Sequence, residues 1–272
     1  MLKIAVTAAV VMGVVALLVR AFEGRFAFFP STGETTTPAN LGVPYDPGWI
    51  ESSDGERLRL WAMVHAAPRA QILYFHGNGG NLSVWAPVLI GVYNQGYSLY
   101  AIDYRGYGLS SGRPTERGLY RDVEAAVSWI AQQPRPQGPL IYWGRSLGTT
   151  MAAYAATLRV PDGVIIESGF PSARALLRGS PPLAVLAVFS SYRFPTAQLL
   201  RDVGRPVLVM HGDRDRVIPF GLGQELFDQI STPKQLLVLK GADHNDILPP
   251  DAREYWGAIR QFVDSLAPPQ EP

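Results

Sequence analysis

The chain has no cysteine. That excludes a thiol nucleophile, a disulfide framework and every Cys-based metal site. It has only four histidines, so histidine-dependent chemistry has few addresses. No excess of charge stands out: 24 Lys plus Arg face 23 Asp plus Glu. A field that would recruit nucleic acid is therefore missing. Repeats and low-complexity runs are missing too, which excludes solenoid and linker-rich architectures.

What is present is one long chain of alternating signals. Its 272 residues suffice for one large domain with a substantial core. Trp49–Ser53 and Arg57–Val64, joined by Asp54-Gly55, predict an antiparallel hairpin. Strands near Ile72, Leu99, Ile141, Val164, Val207 and Leu237 then alternate with helical stretches. That order predicts a mostly parallel sheet with helices on both faces. Thr115–Gln132 is one such helix, with Leu119, Val123, Val127 and Ile130 on its apolar face. The last, Asp251–Leu266, is expected to bury Trp256, Ile259, Phe262 and Val263.

Two segments lie outside that rhythm. Ile4–Val19 is an apolar run bracketed by Lys3 and Arg20. As a helix it spans roughly 24 Å, which snorkelling of the two cations extends toward a ~30 Å hydrocarbon core. Phe26, Phe28 and Phe29 follow at interface depth. Residues 1–24 are read as a membrane anchor, with a cleaved signal peptide or a buried helix as the rival readings. Residues 25–266 form the main domain, and 267–272 a Pro-rich, frayed tail. Within the domain, 169–204 is longer than a simple crossover and carries the apolar stretch Pro181–Phe189. It is either a small cap or flap, or a pair of core-packed crossover helices.

Chemistry concentrates at Gly144-Arg145-Ser146-Leu147-Gly148. An apolar run precedes this G-x-S-x-G pentad and a helix-forming run follows it. A serine at such a turn has its hydroxyl pushed out of the sheet onto a helix N-terminus. Ser146 then needs a base, and the base needs an acid to fix its tautomer. Of the histidines, His65 ends a strand, while His76 and His211 each open a His-Gly loop where a ring commonly pins backbone. His244, on a short polar loop before the final helix, is the expected base. Asp215 is the expected acid, because Val217-Ile218-Pro219 closes its loop ahead of a new helix; Asp213 reads as a turn residue. Two N–H groups must face the developing oxyanion. Leu147 supplies one, and Asn78 in His76-Gly77-Asn78-Gly79-Gly80 is the candidate for the other. The same loop as a phosphate cradle is disfavoured, since no Lys-Ser/Thr ending follows it. Arg105, Tyr107 and Arg145 read as loop-fixing donors.

Taken with Asp103-Tyr104-Arg105-Gly106-Tyr107-Gly108-Leu109-Ser110-Ser111-Gly112 and Gly241-Ala242-Asp243-His244-Asn245-Asp246, these segments resemble the α/β-hydrolases. More narrowly the chain resembles serine hydrolases of the BEM46 and ABHD13/ABHD17-like group, from about residue 25 to about residue 266. The resemblance implies an α/β-hydrolase fold, a serine triad, and a catalytic domain outside the cytoplasm. One position departs from the pattern: Asp243 stands where Gly is commoner. A carboxylate beside the base would favour its protonated form. The expected activity is hydrolysis of a carboxylic ester or thioester, without metal or organic cofactor. A small-molecule or lipid acyl substrate is expected, and an apolar cap would favour greasy groups. A peptidase or amidase on the same triad, and a non-catalytic binding protein on the same fold, stay open as alternatives.

Overall fold

The computed structural model describes residues 1–133, 138–178, 188–246 and 253–266. Its centre is an eight-stranded sheet in the order β10-β9-β8-β7-β4-β6-β3-β2. The strands are β2 (Asp46–Glu51), β3 (Arg57–Met63), β4 (Gln71–Phe75), β6 (Ser98–Ile102), β7 (Leu140–Arg145), β8 (Gly163–Glu167), β9 (Val207–Gly212) and β10 (Lys234–Leu239). β2 and β3 form the expected hairpin: Ser52 N–H donates to Glu56 O at 2.8 Å across Asp54-Gly55. β3 pairs antiparallel with β6, and from β6 to β10 every pairing is parallel.

Strand alternation decides the two cores. On β4, Leu73 and Phe75 join one cluster while Ile72 and Tyr74 join the other; on β7, Leu140 and Tyr142 oppose Ile141 and Trp143. Period-two packing of this kind needs apolar residues at every position, and both strands are buried throughout. Helices Glu116–Gln132, Gly148–Leu158 and Thr196–Arg201 cover the first face. Helices Leu82–Tyr93 and Arg253–Leu266 cover the second. In the last helix Tyr255 is buried with Ile259, Phe262 and Val263, while the expected Trp256 is only half-buried. Residues 251 and 252, where that helix was expected to begin, lie outside the described residues.

Chain direction creates the site. From β4 the chain crosses by Leu82–Tyr93 to β6 on one side; from β6 it returns by Glu116–Gln132 to β7 on the other. The carboxyl ends of β4 and β7 therefore flank a topological switch point, where open α/β sheets form their ligand crevice.

The N-terminal helix runs Leu2–Ala27, three residues past the expected boundary. No proline interrupts it before Pro30, and Gly24 is tolerated inside. At 26 residues it is about 39 Å long and buries none of its side chains. By length and composition it can cross a membrane. The chain then turns extended at Phe28, which is buried in the core against Tyr192 and Phe194. Next comes β1 (Phe29–Pro30), a two-residue strand parallel to β5 (Gly79–Gly80). In the 169–204 segment, helix Thr196–Arg201 is core-packed through Ala197 and Leu200. Residues 181–187 of the apolar stretch, and the tail 267–272, lie outside the described residues.

Candidate functional site

Ser146 sits in the turn between β7 and helix Gly148–Leu158 with φ of 53°, a left-handed value rare for serine. Strain at such a position persists only where packing over-determines it. Two glycines supply that packing. A Cβ on Gly144 would stand 2.1 Å from Gly148 O, and one on Gly148 would stand 2.0 Å from Phe75 O. The helix thus presses onto β4 and β7 so closely that only glycine fits. Ser146 N–H is fixed by Glu167 O at 2.8 Å, on the neighbouring strand β8.

Structure brings His244 and Asp215 together. Nδ1 of His244 lies 2.7 Å from Asp215 Oδ2, and both residues are buried. Asp215 Oδ1 accepts from Val217 N–H at 2.9 Å and Ile218 N–H at 2.7 Å. Burial acts to raise this carboxyl's pKa. Hydrogen bonds from His211, His244 and Ile218 N–H outweigh it and hold the group below the usual carboxylate range. An ionised Asp215 only accepts, so Nδ1 of His244 is the donor of that bond. Arg145, the residue before Ser146, donates from Nη2 to His244 O at 2.7 Å. Its guanidinium also lies 3.4 Å from Glu167. The His244 loop is thereby drawn over the end of β7. Ser146 Oγ makes no hydrogen bond among the described residues. Nucleophile–base contacts often tighten only when substrate arrives.

The other predicted residues fall as follows. Asp213 is an exposed turn residue whose Oδ1 accepts from Gly241 N–H at 2.6 Å. His211 donates from Nε2 to Ile218 O at 2.8 Å and stands 3.4 Å from Asp215, so it braces the acid's loop. His76 turns Nδ1 to Gly77 O at 2.7 Å, and His65 turns Nε2 to Tyr93 O at 2.9 Å. Asp243 does not turn its charge to the His244 ring. Its carboxylate receives Arg216 N–H at 2.9 Å and Arg216 Nε at 2.5 Å, and caps His244 N–H at 2.7 Å. Those bonds, Arg216's first, pull its pKa down to about 2. The Asp243 charge is thus paired with Arg216.

Asn78 lies in the loop after β4 and Leu147 in the turn after β7. A Cβ on Gly77 would come within 3.4 Å of Ser146 Cβ, so the loop after β4 lines the serine directly. Among the described residues, neither Leu147 N–H nor Asn78 N–H donates to another protein group. Asn78 itself is held from three sides. Tyr107 O–H reaches Asn78 O at 2.9 Å and Oδ1 at 3.0 Å, while Asn78 Nδ2 donates to Ala27 O at 2.7 Å. Tyr104 O–H donates to His76 O at 3.1 Å. Burial pushes both tyrosine hydroxyls up well above their ordinary range, so both stay protonated donors. Beyond Asn78, β1 pairs with β5, and Asn81 Nδ2 donates to Gly33 O at 2.8 Å. The segment leaving the N-terminal helix is thus a strap along the candidate oxyanion loop.

Sequence reasoning missed this strap, because a two-residue strand has no periodicity to read. It also missed Glu23 and Glu116. Glu23 accepts from Ser190 Oγ at 2.7 Å and Ser191 N–H at 2.9 Å. Glu116 accepts from Arg193 N–H at 2.6 Å and Phe194 N–H at 2.7 Å. Arg105 does fix loops as expected, through Asp122 and Asp54. Among the described residues no cluster of acidic and histidine side chains could hold a metal ion.

A family model for the alpha/beta hydrolase fold matches residues 71–178. An uncharacterized protein of Mycobacterium tuberculosis is 30% identical over 267 residues, covering 97% of this chain and 95% of its own. Human alpha/beta hydrolase domain-containing protein 17B is 33% identical over 219 residues, covering 78% of this chain and 73% of its own. Among solved structures, the Pyrococcus furiosus esterase Pf2001 superposes with a TM-score of 0.70 at 18% identity, covering 88% of this chain and 98% of its own. Esterase RhEst1 of Rhodococcus sp. does so with a TM-score of 0.61 at 18% identity, covering 81% and 99%.

Proposed function

The chain belongs to the α/β-hydrolase family, and from that premise we propose that it is a membrane-anchored serine hydrolase cleaving carboxylic esters or thioesters. The observation that carries this reading is the 2.7 Å bond between buried Asp215 and His244, on a loop tied to the residue before Ser146. In the proposed cycle Ser146 Oγ attacks the acyl carbon and His244 Nε2 takes its proton. Asp215 holds the imidazole in that tautomer and stabilises the imidazolium. N–H groups of Leu147 and Asn78 receive the oxyanion. His244 returns the proton to the leaving group, and water, deprotonated by the same ring, releases the acid. The esterase names of Pf2001 and RhEst1 make simple esters the first substrates to offer. The exposed apolar helix ahead of the domain supports anchoring, which brings lipid-borne acyl groups within reach.

A fluorophosphonate probe tests the nucleophile. Wild-type protein should be labelled, and Ser146→Ala should lose both the label and ester turnover, by on the order of 10⁴-fold. Near-normal esterase activity in that variant would reject the reading. Esters, thioesters and amides of graded acyl length, assayed side by side, then define the substrate class. Anchoring is tested separately. The full chain should partition with membranes, and a variant lacking residues 1–22 should be soluble and keep its rate on short esters.

A further inference from the structure

At the foot of the N-terminal helix lies a cavity of about 540 Å³. The start of helix Glu116–Gln132 and the stretch Ser191–Pro195 line its other sides. Arg20, Arg117 and Arg193 line it, with Glu23, Glu116 and Tyr192. All three arginines are exposed, and none pairs with a carboxylate among the described residues. The two glutamates are already engaged. Glu23 holds Ser190 and Ser191; Glu116 holds Arg193 and Phe194 N–H and accepts from Tyr120 O–H at 2.7 Å. The acids are thus spent on backbone and hydroxyl donors, while the guanidiniums keep theirs free.

The place of the cavity is as specific as its charge. Arg20 ends the apolar run Ile4–Val19, whereas Arg117 and Arg193 belong to the domain below. With that run in hydrocarbon, the stretch Arg20–Glu23 crosses the headgroup layer, which is roughly 5–7 Å deep on each side. Both rims of the cavity therefore stand at phosphate level. Guanidinium is also the side chain best shaped to grip phosphate oxygens in pairs.

We infer that this cavity holds the phosphodiester of an anionic lipid headgroup, an inference that rests on the membrane-anchored reading above. Three guanidiniums and two carboxylates leave one positive charge, which a phosphodiester monoanion neutralises. The second charge of a phosphomonoester would face Glu23 and Glu116 instead. A lipid held there clamps the domain against the bilayer at a second point besides the helix, and it does so on the segment that Glu23 and Glu116 already fasten.

The test uses the full chain in a neutral detergent, its intact mass showing residues 1–22 present. Dioleoylphosphatidylglycerol is titrated and bound lipid is counted by native mass spectrometry. Wild type should retain one molecule in preference to dioleoylphosphatidylcholine. Arg117→Gln and Arg193→Gln should each weaken retention about fivefold, and together on the order of 30-fold. Arg159→Gln, at the far end of the helix that follows Ser146, removes the same charge and should leave retention unchanged. Equal loss in Arg159→Gln would replace the site with diffuse attraction. Equal retention of phosphatidylcholine, or displacement by equimolar inorganic phosphate, would overturn the assignment to an anionic lipid. An intact mass lacking residues 1–22 would defeat the anchored reading and this inference together. A full-length protein indifferent to phosphatidylglycerol would defeat the inference alone.

Discussion

Replacing Tyr107 by Phe removes one hydroxyl from a fully buried ring and leaves its packing in place. That hydroxyl shares its one proton between Asn78 O at 2.9 Å and Oδ1 at 3.0 Å. Asn78 then keeps its side-chain tether to Ala27 O, at 2.7 Å, and the carbonyl of the peptide carrying its N–H, Gly77 O, stays on His76 Nδ1 at 2.7 Å. Full loss of one oxyanion donor costs about 10²–10³ in kcat, which sets the ceiling. Tyr107→Phe loosens the donor without deleting it, so a fall of roughly 10-fold is expected. Asn78→Ala removes the Oδ1 contact to Tyr107 Oη and the tether to Ala27 O while retaining the N–H and the Tyr107 bond to Asn78 O; a fall of up to about 10² is expected. Because both variants loosen the same residue and share the Tyr107–Oδ1 contact, the double variant should lose less than the two single losses combined. Steady-state kinetics on a short p-nitrophenyl ester separates the cases. The fall should appear in kcat with KM nearly unchanged, since the oxyanion forms only after binding. Unchanged kcat with a raised KM would place Asn78 in substrate binding and refute its oxyanion role. Strictly additive losses would refute the coupling of Tyr107 to Asn78.

Asp215→Asn should lower kcat by about 10⁴ by setting the wrong His244 tautomer, whereas Asp213→Asn should cost little; the reverse order would reassign the acid. Gly148→Ala drives a methyl into Phe75 O and His76 O, at 2.0 and 2.7 Å. Backbone must move to admit it, so a loss of about 2 kcal/mol and a Tm lower by roughly 5 °C are expected in a thermal melt. Asp215 also makes stability depend on pH. Its folded pKa lies below the unfolded value near 3.9, so its stabilisation is present above about pH 4 and lost as pH falls through the folded pKa. Denaturation midpoints measured from pH 6 to pH 2 should fall less steeply in Asp215→Asn than in wild type.

How far the sequence could be read depended on the range of each interaction. Strand alternation and the Asp54-Gly55 turn are local, and the hairpin and the six further strands of the main sheet follow from them. The glycine pair around Ser146 is legible for the same reason, because its clashes are with the next turn of chain and the adjoining strand. Val217 and Ile218, which favoured Asp215 over Asp213 in the sequence, donate their N–H groups to its Oδ1, and it is Asp215 that bonds His244. Contacts between distant segments were not. Arg145 meets the carbonyl of His244, 99 residues away, and no pattern near Arg145 marks that partner. Trp256 and Tyr255 are adjacent aromatics, and a one-residue rotation of the helix face decided which one was buried. Asp243 looked like a charge aimed at a histidine because sequence shows adjacency; Arg216, across the loop, takes that charge.

Residues Glu23 to Pro30 belong to two structures at once. Their helical part continues the apolar rod, yet Glu23 fastens Ser190 and Ser191, Ala27 O takes Asn78, Phe28 plugs the core and Phe29 pairs with Gly79. No clean seam exists between rod and domain. A cut after Phe22 spares every one of these ties, while a cut after Phe29 severs them all and leaves a hole where the Phe28 ring had been. The smallest self-sufficient enzyme in this chain therefore begins inside the helix, one turn before its end.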